Sequence, residues 1–483
     1  MGFRRDGLKG GFLKFLTEAE IEHIHKSSLE LLEEVGMEID DQDMLKLLKK
    51  SGCKVDFSTN ISRVPRELIE DILKEIPHQM RLCGRRSMFD ITPGDGTVYA
   101  RTTGGPPYIA DLNTGERREG TLEDLALCCR VADALENIHG ISVFQVVPMD
   151  VPRMLLDVYA AQTSFLNTEK HLFYYTQNPD LVEYVLEMAA LVAGGEEELK
   201  KRPLLSGFCE ATSPLKLDRR QTTLLTKFVR KGLPVYTHSH PIAGVTSPVT
   251  LAGEVALSNA ETLMVVTIAQ LLAPHTPILY GTSASVPDMR TALNLAGTVE
   301  VGLLGCALAH MARFYHLPST MTSGMDAKIL DAQAMMERIL TSLPPILTGI
   351  DLINLSTTDT KMTFTLPLLV IDNELMSWIN RLLRGFTVNE ETLAIDLIRR
   401  VARKELFLSE DHTVKHFREE LLGSKLVNRG AWDDWKMAGS PSLWQKALDD
   451  TKKIAREHQP APLSGEVQRN LAAIVKSAKD HVS

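Results

Sequence analysis

The stretch 233–285 constrains the fold more than any other part of the chain. Residues 234–238 carry Val and Tyr in a short β-like run. A loop with Gly, Pro, Ser and Thr follows through Pro248, and Thr250 is placed to cap a long apolar helix that continues to about Leu272. Pro274 and Pro277 then break the chain, and 278–281 reads as a second strand. Strand, helix and strand at this length form a βαβ unit, which implies a parallel sheet with a right-handed crossover. In parallel α/β folds the loops after the C-terminal ends of strands build the functional site. Here those loops hold His238, Ser239 and His240, then Thr282, Ser283 and Ser285.

The same rhythm recurs on both sides. Strands are expected at 141–147, 171–176, 203–209, 319–322 and near 346–354, with helices at 152–167, 180–192, 218–231, 293–315, 329–343 and 365–383. That gives seven strands, and an eighth has no clear place. Alternation this regular predicts an α/β protein, a (β/α)8 TIM barrel rather than an open sheet. No GxGxxG follows the first strand, so nothing points to a dinucleotide. Residues 1–120 read as a helical N-terminal extension with a small β element at 81–120, marked by the turns PGDG, GGPP and NTGE. Residues 121–385 read as the catalytic barrel, and 386–483 as a helical region packed on it.

A chain of 483 residues with 44% hydrophobic residues can enclose a large core, and its net charge of -9 argues against nucleic acid as a partner. Six cysteines without a CxxC pair suit a reducing, cytoplasmic setting. The basic start of the chain lacks a sustained apolar core and is not read as a signal peptide. The apolar helix at 249–272 carries Glu254, Asn259 and Glu261, so no membrane span is expected.

The expected strand ends are rich in rings: Tyr174, Tyr175, Tyr236 and Tyr280, beside Glu210, His238, His240 and Thr282. Aromatic faces attract desolvated cations, quaternary ammonium groups above all. The pair His238 and His240 has the spacing of a zinc-binding strand end, but such sites need further His or Asp ligands on later strands. His310 and His316 fall at a helix end instead. No serine or cysteine triad is recognisable.

The runs GVTSPVTLAGEVALSNAE (244–261), AQLLAPHTPILYG (269–281), MDAKILDAQA (325–334), LLVIDNELM (368–376), EDHTVKHFREE (410–420), WDDW (432–435) and HQPAPL (458–463) resemble the trimethylamine methyltransferase superfamily. The resemblance implies a barrel that moves a methyl group from a methylated amine to the Co(I) corrinoid (cobalamin) of a cognate corrinoid protein. Founding members carry pyrrolysine at about the level of 322–326, whereas this chain has Ser323 and Gly324 there. It is therefore similar to the non-pyrrolysine branch, which demethylates quaternary amines: glycine betaine foremost, then proline betaine, carnitine and γ-butyrobetaine. A quaternary nitrogen leaves as a neutral amine, so the reaction needs positioning and exclusion of water rather than an acid–base residue. On this reading Tyr174, Tyr236 and Phe364 form the cage for the cationic head, with Tyr108 as a lid. His238, His240 and Thr282 donate to the carboxylate, and Glu210 faces the cation. Glu261 and Glu300 match the superfamily pattern as structural carboxylates. The chain itself is expected to bind no metal and to form a homo-oligomer.

Overall fold

The computed structural model describes residues 13–403 and 406–482; the start of the chain, where the leader question arises, lies outside them. Eight parallel strands close into a barrel, each followed by a helix. In chain order they are β1 (Tyr99–Thr102), α1 (Leu122–Ala134), β2 (Gly140–Ser142), α2 (Leu156–Asn167), β3 (His171–Tyr174), α3 (Val182–Ala193), β4 (Leu205–Ala211) and α4 (Arg219–Arg230). The second half follows as β5 (Val235–Ser239), α5 (Leu251–Leu272), β6 (Ile278–Thr282), α6 (Val299–Phe314), β7 (Ser319–Thr322), α7 (Ala332–Thr348), β8 (Leu352–Leu355) and α8 (Leu366–Arg384). The (β/α)8 expectation holds, with the strand missing from the sequence reading now at Tyr99–Thr102. The barrel therefore begins ahead of residue 121. β1 had read as part of the small β element because it is only four residues long, carries an arginine and runs into a Gly-Gly-Pro-Pro loop. β8 is shorter than expected, since Pro344 and Pro345 lie inside α7.

Helix α5 is long and apolar enough to cross a membrane, but 89% of its apolar window is buried inside the fold. Glu261, near its middle, accepts from Ser213 Oγ at 2.7 Å and the Leu215 amide at 2.8 Å, and also from Ser239. That carboxylate ties the loop after β4 to the end of β5. Glu300, by contrast, is exposed on α6.

Three small sheets dress the barrel, one of them the two-stranded pair Val286–Pro287 and Asn294–Leu295 after β6. In the N-terminal region Met37–Ile39, Ile61–Arg63 and Lys54–Asp56 form strands beside the expected helices, and Met37–Ile39 pairs with Lys216–Leu217 beyond β4. Over the loops that follow β1 and β8, Tyr108–Ala110 pairs with Arg117–Glu119 on one side and with Thr363–Phe364 on the other. This cap sheet joins the loops after β1 and β8. Beneath the barrel, Met80, Leu82 and Ile91 pack with Tyr99, Phe173, Tyr236, Leu279 and Leu352. They plug its N-terminal end, so the lumen opens only where the strands end.

Candidate active site

Strand alternation decides which side chains reach the lumen. A Cβ on Gly281 would meet His238 at 2.2 Å, and one on Gly140 would meet Phe173 at 2.4 Å, so these glycines mark the inward positions of β6 and β2. Tyr236, His238 and His240 share the inward side of β5. Phe208 and Glu210 share that of β4, and Phe173 and Tyr175 that of β3. Phe208 stacks on Tyr236 with centroids 4.8 Å apart, and Tyr175 lies 4.8 Å from Phe144. Gly104 comes so close to Tyr175 and Ser142 that a Cβ would lie 2.1 Å from Ser142 Oγ. The GGPP loop thus forms part of the lumen wall.

Three of the expected site residues point elsewhere. Tyr174 faces outward: its hydroxyl donates to Asp157 on α2 at 2.6 Å and its ring stacks on Phe228 of α4 at 6.0 Å. Its neighbour Tyr175 takes the lumenal place. Thr282 shares the outward side of β6 with Tyr280, whose hydroxyl donates to Asn259 on α5. Its own hydroxyl oxygen accepts from the Ala284 amide at 3.0 Å. Ser283 is the inward residue instead. Phe364 is fully buried in the cap sheet, paired with Thr357 and Ile109. Tyr108 is half-buried in the same sheet, and the Arg117 guanidinium lies 4.3 Å from its ring centroid.

Tyr236, His238, His240 and Glu210 do converge. Tyr236 is wedged between Phe208 and the Arg101 guanidinium, which lies 4.9 Å from its centroid. His240 Nδ1 is 3.9 Å from Glu210 Oε1. Burial pushes the Glu210 carboxyl up to about 7. Burial also holds both imidazoles neutral: His240 falls to about 3 and His238 lies well below its ordinary value. Lys361, from the turn of the cap sheet, contributes a cation near Glu210. Burial lowers its amine to about 8. That turn holds three successive residues, Asp359, Thr360 and Lys361, at positive φ of 53°, 53° and 70°, a backbone that non-glycine residues adopt at a cost.

A chain of hydrogen-bonding groups leads from Asn354 to His238. The Asn354 amide donates to Thr322 Oγ1 at 3.0 Å, Thr322 lies 3.5 Å from Ser283 Oγ, and Ser283 Oγ lies 2.9 Å from His238 Nδ1. With Ser283 Oγ donating, Nδ1 accepts and Nε2 carries the proton. His238 Nε2 has no hydrogen-bond partner among the described residues. Ser323 and Gly324, just beyond β7, are enclosed. Ser323 Oγ lies 2.8 Å from Thr341 Oγ1 and 2.9 Å from Arg338 Nη1, and a Cβ on Gly324 would lie 2.4 Å from Ala296. Among the described residues no three His, Cys, Asp or Glu side chains gather as a metal site, and the six cysteines are buried free thiols.

A plugged, closed barrel with a polar and aromatic lumen open at its strand ends has the architecture of a (β/α)8-barrel enzyme. The family model described as trimethylamine methyltransferase (MTTB) matches residues 8–483. The chain belongs to the trimethylamine methyltransferase family, and so is of the methyltransferase class. It is 34% identical to the trimethylamine methyltransferase of Desulfitobacterium hafniense, over 98% of this chain and 95% of that one. It is 31% identical to the trimethylamine methyltransferase of Methanosarcina barkeri (strain Fusaro), over 98% and 97%. The glycine betaine methyltransferase of D. hafniense strain Y51 is 29% identical, over 95% and 96%. Among solved structures, the monomethylamine methyltransferase of M. barkeri superposes with a TM-score of 0.51 over 94% of this chain and 96% of that chain, at 14% identity. That likeness concerns the fold.

Proposed function

We propose that this protein moves a methyl group from a quaternary amine, glycine betaine foremost, to the Co(I) corrinoid of a cognate corrinoid protein, releasing dimethylglycine. The observation that carries this reading is the state of Ser323 and Gly324. Where founding members of the superfamily carry pyrrolysine, this chain has two small residues whose atoms are enclosed by Thr341, Arg338 and Ala296. No reactive group is offered there to activate a tertiary amine. Identities of 34% and 29% to relatives named for different amines leave the choice of substrate to the site.

A quaternary amine needs no such activation. The C–N bond breaks with its electron pair going to nitrogen, and the product amine is neutral. The corrinoid, carried by its partner, supplies the nucleophile that accepts the methyl group. The lumen's task is to hold the substrate and exclude water. Phe208 and Tyr175 offer ring faces to the cationic head, Tyr236 backs Phe208, and Glu210 in its ionised form adds a negative charge. Tyr108 is the lid in this reading. The partner is read onto the open end of the barrel, where Met149, Val245, Met289, Ile329 and Met362 are exposed on the loops after β2, β5, β6, β7 and β8. Exposed apolar residues grouped around a site mark a docking face. Phe386, Leu408, Trp432 and Met437 form a separate exposed apolar set in the C-terminal region, which suits burial against a second copy. The setting is the cytoplasm.

The test uses glycine betaine labelled with carbon-13 in its methyl groups, free cob(I)alamin and the purified protein, with both products followed by NMR. Label in methylated cobalamin together with dimethylglycine supports the proposal. Reaction with proline betaine, carnitine or γ-butyrobetaine in place of glycine betaine would reassign the substrate within the class. No transfer from any quaternary amine would overturn it.

A further inference from the structure

Arg101 lies on the inward side of β1 and is only 4% exposed. Its guanidinium sits 4.3 Å from the centroid of Phe173 and 4.9 Å from that of Tyr236, in the middle of the barrel. Nη1 reaches the carbonyl of Thr102 only at 3.5 Å, the Tyr236 hydroxyl is a further polar neighbour, and Nε has no partner among the described residues. No carboxylate among the described residues forms an ion pair with it. A guanidinium stays charged in proteins, and a buried charge is costly unless it is paired.

The other fully enclosed arginine shows how this fold treats such a group. Arg338 has Asp372 at 3.0 Å and donates to the Ser323 carbonyl at 2.7 Å. Arg101 has two ring faces instead of a counter-ion, and it lies above the plug at the closed end of the lumen. Its charge is one of the causes that hold His238 neutral. The Tyr236 ring that it lies against has its centroid 6.0 Å from that of His238, so Arg101 shares the lumen with the unpartnered Nε2 atom of His238. With Ser283 Oγ donating to Nδ1, His238 Nε2 is a donor. A buried cation without an anion and a neutral donor with nothing to accept from it describe one missing group: a small anion.

We propose that Arg101 is the floor of a built anion site that takes the carboxylate of a zwitterionic substrate, with His238 Nε2–H as second donor, while the cationic head rests higher against Phe208 and Tyr175. The proposal rests on the quaternary-amine reading for the identity of the head group, but not for the anion site itself. It also assigns the floor to a residue other than Thr282, whose hydroxyl faces away from the lumen.

The experiment titrates three ligands calorimetrically into wild type, Arg101→Met and Arg101→Lys. Glycine betaine carries both charges. 3,3-Dimethylbutanoate has the same shape and the carboxylate but no cation, and choline has the cation but no carboxylate. The expected result is that Arg101→Met weakens both carboxylates by on the order of 10- to 100-fold, the worth of a charge-assisted contact. Choline binding should be unchanged or tighter. Arg101→Lys should recover part of the loss. The melting temperature of Arg101→Met should equal or exceed that of wild type, because an unpaired buried charge has been removed. Equal losses for all three ligands, an unfolded Arg101→Met protein, or no binding of either carboxylate to wild type would each overturn the assignment. If 3,3-dimethylbutanoate binds through Arg101 while no quaternary amine is demethylated, the anion site stands and the methyl-transfer reading falls.

Discussion

The pair Arg338 and Asp372 gives a sharp test of how the segment after β7 is held. Arg338 on α7 and Asp372 on α8 are both fully enclosed, with Nε and Oδ1 3.0 Å apart. Nη1 also donates to the carbonyl and hydroxyl oxygens of Ser323 at 2.7 and 2.9 Å. Arg338→Met keeps the apolar stem but strands the carboxylate and frees Ser323. Removing one partner of a buried pair costs about 3–5 kcal/mol. The loss should depend on pH. Burial already holds Asp372 at about 6 despite Arg338, against about 3.9 for an unfolded aspartate. A folded-state value raised in this way favours the protonated form, so its contribution to stability is complete below the unfolded value and is lost as pH rises through the folded one. Without Arg338 the folded value rises further, so Arg338→Met should be mildly unstable near pH 5 and most unstable near pH 8. The double variant Arg338→Met/Asp372→Asn removes both charges and should recover to within about 1–2 kcal/mol of wild type. Urea denaturation of the three proteins at both pH values is the assay. A loss for Arg338→Met below about 1 kcal/mol, or one equal at the two pH values, would refute the reasoning.

Three further outcomes are expected. Tyr174→Phe should lower stability by about 1.5–3 kcal/mol through the lost bond to Asp157 and leave glycine betaine affinity unchanged; weaker binding at full stability would return Tyr174 to the lumen. Gly281→Ala drives a Cβ to within 2.2 Å of His238 and 2.4 Å of the Thr237 carbonyl, so both turnover and melting temperature should fall, and a fully active variant would mean that β6 is not seated against His238. Betaine affinity should rise as pH is raised through about 7, where Glu210 ionises; Glu210→Gln should flatten that rise, and a rise of the same size in the variant would remove Glu210 from the cation's surroundings.

The alternation of strands and helices was legible because barrel strands are short apolar runs between helices of helical periodicity. Helix α5 stood out because burial on all sides leaves it apolar all round. β1 was hidden because its inward residue is an arginine and its outward neighbours are only Ala100 and Thr102. The pairing of Tyr108–Ala110 with Thr363–Phe364 joins segments some 250 residues apart, and no local pattern announces such a contact. Within the site, sequence reasoning found the strand ends but not the side each residue faces. Tyr174 and Tyr175 are adjacent, as are Thr282 and Ser283, and a shift of one residue exchanges lumen for helix layer. The inward alternation of Tyr236, His238 and His240 along β5 was the signal that did carry. Applied to 171–175, the same period of two through His171 and Phe173 would have selected Tyr175. Arg101 had no comparable signal, because its meaning lies in the carboxylate that is missing around it.

On the proposed function, a quaternary zwitterion reacts in this lumen and a tertiary amine does not. Methylation of free cob(I)alamin by the purified protein, followed spectroscopically with glycine betaine and with trimethylamine at equal concentration, tests it most directly. Methylated cobalamin should form from glycine betaine, and none above background from trimethylamine. Transfer from trimethylamine at a rate equal to or above that from glycine betaine would contradict the proposed function.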